Sequence, residues 1–211
     1  MLACLPSSAP PGRSTRDDDA APAALRVHAR GASDRAEVEV FIRAVYRERF
    51  GADVRHFAPV LVSLRDGESQ LIAAAGYRAG GDEPLFLERY LEQPVHTRLS
   101  ESGPHPVPRH RLVEVGHLAA ARAGAGRALI ALLGAHLAAQ GFQWVVGTLT
   151  QELRHLFLRL GIAPVALGIA DPAQLGDEAA SWGTYYDHRP VVLAGNLELA
   201  LHALARRRSA A

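Results

Sequence analysis

The stretch EVGHLAAARAGAGRALIALL, residues 114–133, decides the fold of this chain. Its pattern predicts a β-strand over residues 111–120 that leads into a glycine-containing turn and then into a helix over residues 124–140. Gly141 ends that helix, and residues 142–150 predict a second strand. A strand, a helix and a strand in this order form a right-handed crossover between parallel strands. We therefore predict a parallel pair at the centre of the sheet.

The glycine-containing turn also has a chemical interpretation. The start of a helix leaves backbone N–H groups unpaired and carries a partial positive charge. Glycines there let an anion reach the N–H groups without meeting a Cβ atom, and flanking arginines add charge-assisted hydrogen bonds. The alternative is that the glycines only make a tight turn that lets the helix pack close to the sheet. The predicted pyrophosphate site consists of Arg122, Ala123, Gly124, Ala125, Gly126 and Arg127.

The rest of the chain adds strands and helices around this crossover. The predicted elements are a strand (25–30), a helix (33–51), a hairpin (59–78) that turns at Asp66-Gly67, a short helix (83–95) stopped by Pro94, a loop (100–110), a helix (151–161) capped by Thr148 or Thr150, a strand (163–170), an irregular segment (171–190), a strand (191–195) and a helix (196–208). This order predicts an α/β fold, with a central mixed sheet and helices on both faces.

Composition limits the classes of function. The 211 residues carry a net charge of +1, so the overall charge does not indicate a nucleic-acid partner. All basic residues are arginine, which excludes lysine Schiff-base chemistry. The ten histidines show no metal-ligand spacing, so we predict no metal site.

The organisation predicted from these patterns is simple. Residues 1–24 are rich in Pro, Ser and Asp and indicate a disordered leader, and residues 25–211 indicate a single domain. The lone Cys4 lies in the leader, so no disulfide forms within the chain. No apolar run reaches the roughly 18 residues needed to span a bilayer. We expect a cytoplasmic protein.

Two motifs resemble those of the GNAT acyltransferase superfamily. AGAGRALIALL is similar to its acyl-CoA-binding motif, Arg/Gln-x-x-Gly-x-Gly/Ala, through Gly124 and Gly126, although Ala121 stands at the first position. FLRLGI (157–162) resembles the next motif, in which Phe157 replaces the tyrosine that often protonates the leaving thiolate.

A longer resemblance, to the thermostable hemolysin family, covers most of the chain after residue 40. That family resembles GNAT proteins and acyl-homoserine lactone synthases, and it usually has asparagine where this chain has His117. The resemblance implies a GNAT-like fold and acyl transfer from acyl-CoA or acyl carrier protein to a small amine-bearing acceptor, with no permanently bound cofactor. The motifs are YRERFGADVRHFAPVLVSL, GYRA, LFLERYLEQPV, VEVGHLA, FQWVVGTLTQELRHLFLRLGI, ADPAQLGD and WGTYYDHRPVVLAG.

Acyl transfer needs a base, donors for the oxyanion and an acid for the thiolate. On the strand over 111–120, the two-residue period places Glu114 on one face and His117 on the other, and each is a candidate base. Glu114 has the alternative of a structural pair with an arginine such as Arg78 or Arg89, and His117 that of a structural hydrogen bond. Glu88 is a candidate by resemblance to the acidic pockets of acyl-homoserine lactone synthases, or an ordinary helix carboxylate. Tyr185 or Tyr186 is a candidate acid in place of Phe157, with core packing as the alternative.

Two other functions remain open at this point. The helix over 196–208 has a leucine face and a basic end, which allows weak membrane association and a membrane-active, haemolysin-type protein. Ala121 and Phe157 favour a degenerate GNAT fold that only binds a ligand.

Overall fold

The computed structural model describes residues 24–209. All but the last residue of the predicted leader (1–24) lies outside the described residues. The described residues form one mixed sheet with the strand order β1-β2-β3-β4-β5-β7-β6. The strands are β1 (Arg26–His28), β2 (Val60–Arg65), β3 (Leu71–Ala79), β4 (Leu112–Ala120), β5 (Trp144–Leu149), β6 (Val165–Ile169) and β7 (Val191–Asn196).

Helices cover both faces of this sheet, because neighbouring residues of each strand point to opposite sides. On β2, Leu61 packs with Ile42 of the first helix, whereas Val62 packs with Leu129 of the third. The predicted mixed sheet with helices on both faces is therefore confirmed. The helices are α1 (Arg35–Phe50), α2 (Val95–Ser102), α3 (Ala125–Ala139), α4 (Gln151–Arg159) and α5 (Leu197–Ser209). We call the two sides of the sheet the α1 face and the α3 face.

The central crossover runs from β4 through α3 to β5, as the sequence predicts. β4 pairs with β5 in parallel from Leu112 opposite Trp144 to Glu114 opposite Val146. The ladder ends there, although β4 continues to Ala120 and β5 to Leu149. The two central strands therefore separate in the middle of the sheet.

The segment around Pro94 differs from the prediction of one helix over 83–95. Phe86–Tyr90 forms a short 3₁₀ segment, and Pro94 precedes α2 instead of ending a helix. The prediction was wrong because proline lacks an N–H group, which makes it as suitable just before a helix as after one. α2 also takes the first three residues of the loop predicted over 100–110. Further 3₁₀ segments are Arg109–Arg111, Pro172–Trp182 and Tyr185–His188.

Candidate active site

A cavity of about 490 Å³ lies where β4 and β5 separate, and its walls come from both faces of the sheet. On the α1 face, aromatic and charged side chains such as Tyr46, Arg49 and Trp182 line it. On the α3 face, its walls are apolar and include Leu133 and Leu201. The gap between the strands thus joins a polar, aromatic compartment to an apolar one.

Glu114 lies at this gap and is 9% exposed. Its Oε2 atom accepts a hydrogen bond from the backbone N–H of Phe86 at 2.7 Å, and its Oε1 atom accepts one from that of Leu87 at 3.1 Å. The Nε atom of Arg78 lies 3.4 Å from Oε2, which is the arginine pair that the sequence offered as an alternative. Burial raises the pKa of Glu114 to about 7, against the opposing effects of Arg78 and the two backbone groups. A carboxylate with this pKa is suited to accept a proton near neutral pH.

His117 lies on the same face as Glu114, not on the opposite face as the two-residue period predicts. The prediction was wrong because β4 has a β-bulge: two residues, His117 and Leu118, stand opposite the single Ala75 of β3. His117 has a left-handed φ of 54°, and its ring packs 5.4 Å from that of Phe57 on the α1 face. The bulge therefore brings both candidate bases to the same side of the gap.

The imidazole of His117 lies at the cavity wall with its Nδ1 atom toward β3, 3.2 Å from where a Cβ atom on Gly76 would be. Its Nδ1 atom is buried without a hydrogen-bond partner among the described residues, and the side chain lines the cavity. Burial lowers the pKa of His117 to about 4, so the ring is neutral at physiological pH. A neutral imidazole nitrogen can accept a hydrogen bond from a bound amine or donate one, according to its tautomer.

Tyr185 belongs to an aromatic cluster on the α1 face of the cavity. Its hydroxyl donates a hydrogen bond to the backbone carbonyl of Thr148 on β5 at 3.1 Å. Burial raises the pKa of Tyr185 well above its ordinary value, so the hydroxyl keeps its proton. Trp182, whose ring lies 5.4 Å from that of Tyr185, has a buried Nε1 atom that lacks a partner in the described part of the chain. Both side chains line the cavity.

Glu88 does not line the cavity. Its carboxylate forms a bidentate pair with Arg109, at 2.6 and 2.7 Å, and accepts hydrogen bonds from the backbone N–H groups of Leu85 and Val95, each at 3.1 Å. Burial acts to raise the pKa of Glu88, but these hydrogen bonds outweigh it and lower the pKa below its ordinary value. The carboxylate joins the 3₁₀ segment to the start of α2.

At the glycine turn, the two glycines have different environments. Gly124 has a φ of 82°, a conformation that favours glycine. Gly126 lies in the first turn of α3, and a Cβ atom there would meet only the Cβ atom of Ala120, at 3.6 Å. This is an ordinary contact, so close packing on the sheet does not require glycine at 126. The turn therefore accounts for glycine at 124, whereas neither the turn nor the packing accounts for glycine at 126.

A second pocket, of about 430 Å³, lies at this helix start. Gly124, Gly126 and three arginines line it: Arg127 of α3, Arg159 of α4 and Arg207 of α5. We call it the arginine pocket. Within residues 24–209, none of the three arginines forms an ion pair. Unpaired guanidinium groups around unpaired backbone N–H groups are suited to hold phosphate.

Arg122, which the sequence analysis grouped with the turn, forms an ion pair with Asp66 in the β2–β3 turn. Sequence reasoning did not find Arg159 and Arg207, because they reach the turn from helices that follow much later in the chain. Phe157, in the position of the usual tyrosine, lines the large cavity.

A separate cluster has the atom spacing of a Ser-His-Asp triad, although His28 Nδ1 and Asp34 are not aligned as a hydrogen bond. His28 Nε2 lies 2.9 Å from Ser63 Oγ, and His28 Nδ1 lies 2.8 Å from a carboxylate oxygen of Asp34. Ser63 and His28 are completely buried, and neither lines either pocket described above. The cluster ties β1 to β2 and to the start of α1, which indicates a structural role.

Residues 24–209 lack two further features. This part of the chain contains no group of three or more His, Cys, Asp or Glu side chains that can hold a metal ion. It also contains no helix that is long and apolar enough to span a membrane.

Solved structures share this fold. FeeM, an N-acyl amino acid synthase from uncultured soil microbes, is 12% identical, with 83% of this chain and 91% of that one covered and a TM-score of 0.58. BjaI, a CoA-dependent acyl-homoserine lactone synthase solved with SAM and isopentyl-CoA, is 13% identical, with 88% and 89% covered and a TM-score of 0.58. TofI in an apo form is 18% identical, with 86% and 96% covered and a TM-score of 0.60.

These likenesses define the class of fold. The chain has the GNAT-like fold shared by N-acyltransferases and acyl-homoserine lactone synthases. Residues 28–201 match the thermostable hemolysin family, so the chain belongs to that family. No curated protein matches it in sequence.

Proposed function

We propose that this protein is an acyltransferase that moves an acyl group from acyl-CoA or an acyl carrier protein to a small amine-bearing acceptor. One observation carries the proposal: the cavity lies at the separation of β4 and β5, with Glu114 and His117 both lining it. A thioester held in the gap would present its carbonyl carbon beside these two side chains. The GNAT-like fold and the family membership support the same reaction class.

The donor enters from the arginine pocket in this proposal. Within the turn from Ala123 to Arg127, the backbone N–H groups of Gly126 and Arg127 donate hydrogen bonds to the pyrophosphate, because that of Ala125 already donates to the Arg122 carbonyl at 3.2 Å. Arg127, Arg159 and Arg207 add positive charge. Arg122 contributes less than the sequence analysis expected because Asp66 pairs with it. The pantetheine arm then lies between β4 and β5, where its amides pair with backbone groups as an added strand does.

The chemical step transfers the acyl group and two protons. The acceptor nitrogen attacks the thioester carbonyl, a C–N bond forms, and the C–S bond breaks. Glu114 takes the proton that the amine loses, directly or through water, and its pKa of about 7 matches this role. His117 shapes the acceptor side of the gap, because its side chain lines the cavity beside Glu114. The Tyr185 hydroxyl, which donates to the Thr148 carbonyl in the free protein, turns to donate its proton to the leaving thiolate in place of the tyrosine that Phe157 replaces. Solvent then returns a proton to Tyr185, and Glu114 releases its own to solvent.

A thermal-shift titration with CoA, acetyl-CoA and palmitoyl-CoA tests the proposal. A ligand at a hundred times its dissociation constant adds about 2.7 kcal/mol of apparent stability. We expect this shift in the wild type, its loss in Gly126→Val, and a smaller shift in Arg207→Ser. Arg206→Ser is the matched control, because Arg206 is the neighbouring exposed residue of α5 and does not line the arginine pocket. An equal thermal shift in wild type, Gly126→Val and Arg207→Ser would place CoA elsewhere.

Thiol release with a panel of amines then tests catalysis. Thiol release from an acylated carrier protein, without any shift by CoA, would identify the carrier protein as the donor. Absence of both binding and thiol release, together with leakage from liposomes caused by the protein alone, would replace the proposal with a membrane-active function.

A further inference from the structure

The α3-face compartment of the cavity is apolar throughout its helical walls. Every residue that α3, α4 and α5 contribute to the lining is an aliphatic residue, a phenylalanine or a glycine. We call this compartment the apolar chamber. Representative lining residues are Ile130, Leu133, Leu153, Phe157, Leu201 and Leu204. Such walls offer no hydrogen bond to a polar ligand and favour a hydrocarbon.

Gly134 stands in the wall of this chamber and has no structural requirement to be glycine. It lies in the interior of α3, where glycine destabilises a helix relative to alanine. Its φ is not in the left-handed region. A Cβ atom at 134 would lie 3.5 Å from the nearest atom, Cδ2 of Leu201, which is ordinary contact. Neither backbone conformation nor close packing of α3 on α5 therefore explains the missing side chain.

Gly195 repeats this feature on another wall. It lies on β7, where glycine weakens a strand, and it lines the same cavity. A Cβ atom there would meet nothing within 4 Å. Gly147 on β5 is different, because a Cβ atom there would lie 2.8 Å from the carbonyl oxygen of Val115. Gly147 is required by the fold, whereas Gly134 and Gly195 keep space open.

We propose that the apolar chamber holds the hydrocarbon chain of a medium or long acyl group, and that Gly134 and Gly195 set the length of chain that it admits. This inference rests on the proposed function, because the chamber adjoins the gap in which the thioester carbonyl would lie. It goes further by naming the class of donor and the residues that select it. An acetyl group would leave the chamber empty.

The experiment measures dissociation constants of CoA, acetyl-CoA, octanoyl-CoA and palmitoyl-CoA by calorimetry, for wild type, Gly134→Leu and Gly195→Val. For wild type, affinity should rise by about four-fold for each methylene buried, until the chamber is full. Gly134→Leu should bind CoA and acetyl-CoA as the wild type does but lose at least ten-fold in affinity for palmitoyl-CoA. Ala135→Leu is the matched control, because it places the same leucine side chain at the exposed neighbour of Gly134.

Dodecanoate, which carries no CoA, separates this inference from the proposed function. Wild type should bind dodecanoate, and Gly134→Leu should bind it at least ten-fold more weakly. Binding of dodecanoate without binding of any CoA ester would support the chamber and contradict a CoA donor. Equal affinity for all four CoA ligands in wild type, or no effect of Gly134→Leu on palmitoyl-CoA and dodecanoate, would overturn the inference and leave the proposed acyl transfer standing.

Discussion

The Oε2 atom of Glu114 lies 2.7 Å from the backbone nitrogen of Phe86. A side chain of the central strand β4 therefore holds the 3₁₀ segment Phe86–Tyr90 against the cavity, and Phe86 itself lines that cavity. The same carboxylate is the proposed base. Its structural and catalytic roles can be separated through their pH dependence.

We predict that Glu114 makes activity and stability change in opposite directions with pH. The carboxylate is the active form of a base, so kcat/KM should rise with pH and level off above about 7. Because the pKa of Glu114 is raised in the folded state, this state binds more protons than the unfolded state at every pH between the ordinary glutamate pKa and about 7. The free energy of unfolding should therefore fall as pH rises through this range.

Glu114→Gln should remove the contribution of Glu114 to both pH dependences, that of kcat/KM and that of the free energy of unfolding. Its kcat should fall by about 10²- to 10⁴-fold at pH 8, the usual contribution of a general base. The melting temperature of Glu114→Gln minus that of the wild type should increase as pH rises from 5 to 8. Glu92→Gln, at an exposed site away from the cavity, is the control and should keep both wild-type profiles. A pH-independent difference in melting temperature would contradict the raised pKa.

The two glycines of the turn should respond differently to alanine. Gly124→Ala should destabilise the protein by about 1 kcal/mol, because an L residue is strained at a φ of 82°. Gly126→Ala should preserve stability or increase it by up to about 1 kcal/mol, because alanine favours helices and has room. Urea unfolding measures both values. Equal destabilisation by the two variants would show that Gly126 is needed for the turn.

Glu88→Gln should lower stability and leave ligand binding unchanged. The variant loses one charged partner of Arg109, and hydrogen bonds to charged groups contribute about 2 kcal/mol each. Glu178→Gln, which breaks the more exposed pair with Arg89, should cost less than about 1 kcal/mol. A loss of kcat in Glu88→Gln, with unchanged unfolding free energy, would instead support the catalytic role suggested by resemblance.

The cluster of His28, Ser63 and Asp34 should behave as a structural link and not as a nucleophile. Since Ser63 is completely buried, a fluorophosphonate should leave it unlabelled in the folded protein. Ser63→Ala leaves buried His28 without this partner and should lower the free energy of unfolding by about 1–3 kcal/mol. Rapid labelling of Ser63 under native conditions would show that the cluster opens to solvent.

The order of elements around the β4–α3–β5 crossover could be predicted because it depends on local patterns. A hydrophobic period, a glycine turn and the Asp66-Gly67 hairpin signal are all written in neighbouring residues. The turn beginning at Asp66 is observed, with Asp66 accepting hydrogen bonds from the backbone of Glu68 and Gln70.

The geometry of the site depends on contacts between distant segments and could not be predicted in this way. The bulge that turns His117 toward Glu114 arises from the pairing of β4 with β3. The arginine pocket arises because α4 and α5 pack beside the start of α3, which brings Arg159 and Arg207 to Arg127. The bulge is why the prediction of opposite faces for Glu114 and His117 was wrong. The packing of α4 and α5 is why the predicted set of phosphate-binding arginines was incomplete.

The early end of the β4–β5 ladder also bears on how amide protons exchange with solvent. In most sheets the central strands exchange most slowly, because both of their edges are paired. Here β4 and β5 are central, yet beyond Glu114 and Val146 their facing edges are unpaired. Amide protection in this sheet should therefore be reduced along an internal seam as well as at its edges, and a molecule lying in that seam would restore it.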